Sequence, residues 1–211
     1  MPQPNETAAV FILLCICMAS PLVSAESPSF NKDVVPVLTR FGCNAGGCHG
    51  KLSGQNGFRL SLRGYAPELD HETITREAFG RRINAASPEQ SLLIRKAGNL
   101  VPHGGGQRLE IGGKAEQILT DWIAAGAPGP RTDEADLLRI EVAPESRTLS
   151  EGESHPLSVT AVYVDGQRQD VTWLTQFASS DSGVSVENLA ALVRSSGCPG
   201  SSRRQVSHSY S

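Results

Sequence analysis

The spacing of apolar residues divides the chain into two halves. Before about residue 129, apolar residues recur three and four positions apart, which is typical of amphipathic helices. After about residue 137 they alternate with polar residues, as in half-buried strands. Between the halves, the stretch GAPGPRTDEAD interrupts both patterns with its prolines, glycines and acidic residues. The sequence therefore predicts two unlike domains.

Three segments of the first half have one apolar helical face. They are SFNKDVVPVLTRF, SPEQSLLIRKAG and KAEQILTDWIAAGAP. In the second, Ser87 is the predicted N-cap and Pro88 the first helical residue, and Gly98 ends the helix. DHETITREAFG is predicted to be a further helix capped by Asp70, and GFRLSLRG a short strand. The first half is predicted to be mostly helical with a small insertion.

The second half has the pattern of an antiparallel β-sandwich. Alternating segments run from Leu137 to Val193, and Asp165-Gly166 is the strongest hairpin signal in the chain. A complete immunoglobulin-like sandwich needs about 100 residues, so this one is predicted to be incomplete. The alternation stops in RSSGCPGSSRRQVSHSYS. Residues 195–211 are therefore interpreted as a disordered or aberrant tail, in which Cys198 and His208 are incidental.

The N-terminus predicts export. MPQPNETAAVFILLCICMASPLVSAES has an apolar run too short to span a bilayer, followed by a cleavage site after Ala25. Cleavage removes Cys15, Cys17 and both methionines, and loss of Glu6 changes the net charge from −3 to −2. This mild charge argues against nucleic acid as a partner. No later stretch is apolar enough to span a membrane.

The most specific motif of the predicted mature chain is RFGCNAGGCHGKLSGQNGF. Covalent haem attachment needs two thiols for the porphyrin vinyl groups and a histidine beside the second thiol to bind the iron. Cys43, Cys48 and His49 supply these groups, with two more residues between the cysteines than in C-x-x-C-H. The small residues between them allow the longer loop to fold back. These residues favour haem.

Three other sites remain open on these residues. A disulfide between Cys43 and Cys48 is compatible with export, but it would leave His49 without a role. A zinc site needs a fourth ligand. A redox dithiol prefers the C-x-x-C spacing.

A family resemblance begins at the same residues. FNKDVVPVLTRFGCNAGGCHGKLSGQNGFRLSLRGY, RRINAASPEQSLLIRKA, VPHGGGQRL and LTDWIAAGAP together resemble the planctomycete-type cytochrome c domain, from about Ser29 to Pro128. The second half is similar, less specifically, to the bacterial immunoglobulin-like group 2 domain. In that family these domains head larger secreted proteins, so we expect this chain to be a fragment of a larger multidomain protein. The resemblance implies one covalently bound haem c, with Cys43 and Cys48 as attachment sites and His49 as an axial ligand.

These inferences predict a mostly α cytochrome c-like domain followed by an incomplete, all-β Ig-like sandwich. The expected division is a signal peptide over 1–25, a haem domain over 26–129, a linker over 130–136, the sandwich over 137–194 and the tail over 195–211. We expect an electron carrier rather than an enzyme, located in the periplasm or at the cell surface and serving an unidentified redox partner protein.

The sixth iron ligand is predicted to be His103. Methionine is a common partner of histidine in small cytochromes, but the predicted mature chain has none. The turn VPHGGG places His103 where three glycines let the backbone approach a flat ring. A surface histidine is the alternative interpretation, with Lys51, Lys96 or water as the ligand. His71 and His155 are interpreted as surface residues.

Two other functions are compatible with the sequence. The sandwich could make the protein a non-enzymatic adhesion or carbohydrate-binding module that contacts a cell surface. A secreted domain stabilised by zinc or a disulfide is the second alternative.

Overall fold

A computed structural model describes residues 27–182, 184–187, 191–195 and 203–207. The predicted signal peptide, Cys198 and His208 lie outside the described residues. Within the described ranges, none of the helices combines the length and apolar character needed to cross a bilayer.

The helices of the first half are short. In the described part of the chain, the α-helices are α1 (Val35–Arg40), α2 (Pro67–Thr75), α3 (Leu92–Ala97) and α4 (Lys114–Ala124), and a π-helical turn, Phe30–Val34, leads into α1. About 30% of the structure is helical and about 20% is strand. The prediction of a mostly α cytochrome c-like domain is therefore wrong.

Local backbone preferences explain why the helices stop early. The segment predicted as one helix from Ser87 is divided into a 3-10 turn, Pro88–Gln90, and α3, because Ser91 between them is extended. GFRLSLRG forms no strand, and a 3-10 turn at Leu62–Gly64 ends it. Gly64 lies in the left-handed region with φ of 75°, which glycine adopts without strain. Turns therefore replace the first part of this predicted helix and the end of the predicted strand.

Asp70 lies within α2 rather than at its N-cap, because Pro67 starts the helix one turn earlier. Its buried carboxylate accepts hydrogen bonds from the backbone N–H and hydroxyl of Ser61. Burial raises the pKa of Asp70, and the Ser61 hydrogen bonds oppose this rise. Asp70 therefore ties α2 to the segment that follows the cysteine motif.

One apolar core joins the four helices. Phe30, Ile94, Leu119 and Trp122 are almost fully buried in it. The Trp122 Nε1–H donates to the carbonyl of Pro128 at 2.9 Å, which satisfies the indole. The apolar stripe predicted for α4 is its buried face. Packing of this face anchors the C-terminal end of the first half to the core.

The second half consists of short antiparallel strands. They are β1 (Leu137–Ala143), β2 (Ser146–Ser150), β3 (Ser154–Pro156), β4 (Ser158–Tyr163), β5 (Arg168–Asp170), β6 (Val184–Glu187), β7 (Leu192–Ser195) and β8 (Arg203–Ser207). Within the described residues they form three small sheets, ordered β1-β4-β5, β2-β8 and β3-β7-β6. Gly166, with φ of 85°, lies in the turn between β4 and β5, as Asp165-Gly166 predicts. Strand β8 lies in the segment interpreted as a tail, and it pairs with β2. The resemblance to an Ig-like domain stays a prediction.

The two halves are packed together by a 3-10 turn at Thr172–Leu174. Trp173 and Leu174 in this turn pack against the core of the helical half. The Lys114 Nζ lies 4.5 Å from the centre of the Trp173 ring, and the Arg40 Nε–H donates to the Trp173 carbonyl at 3.3 Å. The helical half is therefore completed by residues of the β half.

Replacing Trp173 with alanine is expected to lower the free energy of unfolding by about 2 to 3 kcal/mol. Replacing a fully buried aromatic residue with alanine costs about 3–5 kcal/mol. The expected cost is smaller here because Trp173 is only half-buried. The measurement is chemical denaturation of the full mature chain, followed by circular dichroism.

The matched control is Phe79→Ala, because the Phe79 side chain is fully exposed. Its expected effect is within about 0.5 kcal/mol. Equal losses for the two variants would contradict the packing role of Trp173.

Candidate functional site

The cysteine motif forms a compact loop directly after α1. The Cys43 N–H donates to the Leu38 carbonyl at 2.8 Å, which anchors the start of the loop to the helix. The His49 N–H donates to the Cys43 carbonyl at 3.0 Å, which closes it. The buried side chain of Asn44 donates to the Thr39 hydroxyl at 2.8 Å. The longer spacing between the cysteines is thus accommodated by a loop that folds back.

The two thiols of this loop are free and half-buried. The structure therefore gives no support to a disulfide between Cys43 and Cys48. Burial raises the pKa of Cys43 to about 11, although the positive charge of Arg108 opposes the rise. The Arg108 Nη2 lies 3.8 Å from the Cys48 sulfur. A neutral Cys43 thiol does not favour a redox dithiol, which reacts as the thiolate.

The His49 imidazole is oriented by the chain that follows the loop. Its Nδ1–H donates to the Phe58 carbonyl at 3.0 Å, and the centres of the two rings are 4.5 Å apart. Burial lowers the pKa of His49, and the charges of His103 and Arg82 lower it further, while the hydrogen bond to Phe58 opposes the shift. The arrangement therefore favours a neutral imidazole with Nε2 free, which is the form that binds a metal.

His103 has the same arrangement. Its Nδ1–H donates to the Gly106 carbonyl at 2.8 Å, which leaves Nε2 free. A Cβ at Gly105 would lie 2.9 Å from His103 Cε1, so the glycine makes room for the imidazole of His103 itself. Lys96 Nζ donates to the Pro102 carbonyl at 2.5 Å. Lys96 therefore supports the turn that carries His103, in contrast to its interpretation as an iron ligand.

The structure brings His49 and His103 together from distant parts of the sequence. Their ring centres are 6.2 Å apart and their planes differ by 8°. A metal bonds to an imidazole nitrogen at about 2.0–2.1 Å, and about 1.1 Å separates that nitrogen from the ring centre, so two imidazoles on opposite sides of one metal have centres about 6.3 Å apart. The observed distance between the two ring centres is close to this value.

A zinc site of the Cys and His type is not supported. Across the described ranges, no three Cys, His, Asp or Glu side chains form a group that could hold a metal ion. Nε2 of His49 and Nε2 of His103 are the imidazole nitrogens of this site that do not hydrogen-bond to a backbone carbonyl.

Three exposed leucines lie beside the loop or close to the two histidines in sequence. Leu62 lies next to the loop, where a Cβ at Gly46 would be 3.9 Å from its Cδ1. Leu52 follows His49 by three residues and Leu100 precedes His103 by three. All three leucines are about half to almost fully exposed.

The other described histidines lie apart from this site. The Nε2–H of His71 donates to the Ala127 carbonyl at 2.8 Å, and its ring lies edge-on to Phe30. His71 is half-buried, so its interpretation as a surface residue is wrong. His155 lies in β3 of the second half.

One residue of the site was missed by the sequence analysis. Arg82 is buried, and it contacts both the chain around Phe58 and the end of α2. The sequence shows it only as one of two adjacent arginines, which are more often exposed.

No protein-family model matches the chain, and no curated protein is detectably similar to it. The resemblance to planctomycete-type cytochrome c domains therefore rests on the quoted motifs, and it stays a prediction.

Proposed function

We propose that this protein binds one haem c and transfers single electrons. The main support is the pair of parallel imidazoles of His49 and His103, whose ring centres are 6.2 Å apart. In each ring Nδ1 donates to a backbone carbonyl and Nε2 is free. The thiols of Cys43 and Cys48 in the adjoining loop are free to form thioethers. The donor set therefore fits a covalently attached haem with two histidine ligands.

The residues of the chain have separate roles in this proposal. Cys43 and Cys48 would attach the porphyrin, and His49 and His103 would hold the iron. The carbonyls of Phe58 and Gly106 each accept an Nδ1–H, which keeps both imidazoles in the tautomer that binds iron through Nε2. Leu62, which is about half exposed beside the loop, would supply apolar contact for the ring.

When bound, haem c supplies an iron that cycles between the ferric and ferrous states by one electron. The electron comes from a reduced partner protein and passes to an oxidised one. The hydrogen bonds from Nδ1 of His49 and His103 to backbone carbonyls would leave both Nε2 atoms available to hold the iron. We propose that this occurs after export, in the periplasm or at the cell surface.

The adhesion or carbohydrate-binding alternative has less support. Trp173 is the aromatic residue of the β half with the largest flat surface, but it packs against the helical core and Lys114. Its ring is therefore used within the molecule rather than offered to a sugar.

The test is production of the full chain with export and a haem-maturation system. We expect an intact mass, measured after unfolding, that includes one haem, and a reversible redox titration with one electron per chain. A purified, folded protein without haem under these conditions would refute the proposed function.

A further inference from the structure

Arg82 is a buried cation with unusually many partners. Its side chain is 7% exposed, and its Nη1 donates to the carbonyls of Thr73 at 2.5 Å and Glu77 at 3.1 Å. Its Nη2 donates to the Gly57 carbonyl at 2.9 Å. A guanidinium with donors in a rigid fork can satisfy several carbonyls at once, which an ammonium cannot do in the same geometry.

These contacts connect the end of α2 to the residue that orients His49. The Arg82 guanidinium lies 4.7 Å from the centre of the Phe58 ring. Arg82 also donates to the carbonyl of Gly57, the residue before Phe58. Phe58 in turn accepts the His49 Nδ1–H and contacts the imidazole with its ring. The order of contacts is therefore Arg82, Phe58 and His49.

The charge of Arg82 is only partly compensated. Its one ion-pair partner in the described residues is Glu77, 3.8 Å away and half-exposed. Water weakens the field of the exposed carboxylate more than that of the buried guanidinium. A net positive field therefore remains inside the protein near Phe58 and His49.

We propose that Arg82 is the positioning residue of the haem site. It fixes the Phe58 carbonyl that orients the His49 imidazole, and its buried positive charge favours the ferrous state and so raises the reduction potential. The first effect concerns this chain alone, whereas the second rests on the proposed haem function. No contact between Arg82 and the iron is required.

The test compares Arg82→Met and Arg82→Lys with the control Arg81→Met in the full mature chain. Arg81 is the exposed neighbour of Arg82, so the control removes the same type of charge at the surface. The first readout is hydrogen exchange of the His49 Nδ1–H by NMR, in the ferrous haem-loaded protein, or in the haem-free chain if no haem is bound. The second readout is the reduction potential of the haem-loaded protein.

We expect Arg82→Met to speed exchange of the His49 Nδ1–H about tenfold, the scale of one lost hydrogen bond, and to shift the potential to a lower value. Arg82→Lys should keep the potential closer to wild type but still speed the exchange. Arg81→Met should change neither property. The Trp122 Nε1–H serves as an internal reference in the core, because general destabilisation would speed its exchange equally.

An unchanged His49 exchange rate in Arg82→Met, or rates for His49 and Trp122 that rise together, would overturn the positioning role. If Arg82→Met does not fold, the same comparison in Arg82→Lys decides. An unchanged potential with faster exchange would overturn the electrostatic effect alone. A wild-type chain without haem would refute the proposed function, while the exchange measurement would still decide the role of Arg82.

Discussion

Replacing both Cys43 and Cys48 with alanine is expected to abolish the haem that remains attached after unfolding. Thioether bonds survive denaturation, whereas bonds from histidine to iron are lost when the chain unfolds. Both thiols are free in the loop, so each is available for attachment. Intact mass and the absorbance of the denatured protein measure the loss, which should be complete in the double variant.

Cys198→Ala is the matched control, because it removes the third cysteine of the predicted mature chain and leaves the loop intact. It should retain haem at the wild-type level. Circular dichroism of the double variant checks that the fold persists. Extraction of intact haem from the wild-type protein by acid and organic solvent would show that the attachment is not covalent.

Replacing His103 with alanine is expected to convert a low-spin iron into one that is largely high-spin. The substitution removes one of the two parallel imidazoles and opens a coordination position to water or an added ligand. The change should appear in the absorption spectrum and as tighter binding of an external ligand such as cyanide. His103→Met should instead keep six ligands and raise the potential, if the thioether reaches the iron.

The control for this prediction is His155→Ala, which removes an imidazole from β3 in the other half of the molecule. Its spectrum should match that of the wild type. A low-spin spectrum that persists in His103→Ala would exclude His103 as the ligand. Lys51 would then be the next residue to replace, since Lys96 bonds to the Pro102 carbonyl.

Parts of the fold follow directly from the sequence. The stripe of apolar residues in α4 predicts its buried face, and Asp165-Gly166 predicts the turn between β4 and β5. The prediction of a mostly helical first half was wrong, because apolar periodicity over two helical turns does not determine whether a helix continues. Ser91 adopts an extended conformation that divides the segment predicted as one helix, and tertiary packing selects this conformation.

The candidate site shows the same division. Cys43, Cys48 and His49 predict haem from the sequence alone, and the absence of methionine from the predicted mature chain predicts His103 as a ligand; both stay predictions. The structure adds the proximity of the His49 and His103 rings. The role of Arg82 could not be predicted, because the sequence does not indicate which of the two adjacent arginines, Arg81 or Arg82, is buried. Burial depends on the Thr73 and Gly57 carbonyls, which come from other segments of the chain.

The packing of Trp173 and Leu174 against the helical half has a consequence for the order of folding. The core that contains Phe30 is completed by residues more than 140 positions later in the sequence. Because the chain is synthesised from its N-terminus, this contact cannot form until the Thr172–Leu174 turn has been synthesised. Contacts of such long sequence separation slow folding, because a large loop must close before they stabilise the structure. During synthesis, the half that carries the candidate site would therefore expose part of its apolar core until the β half has been made.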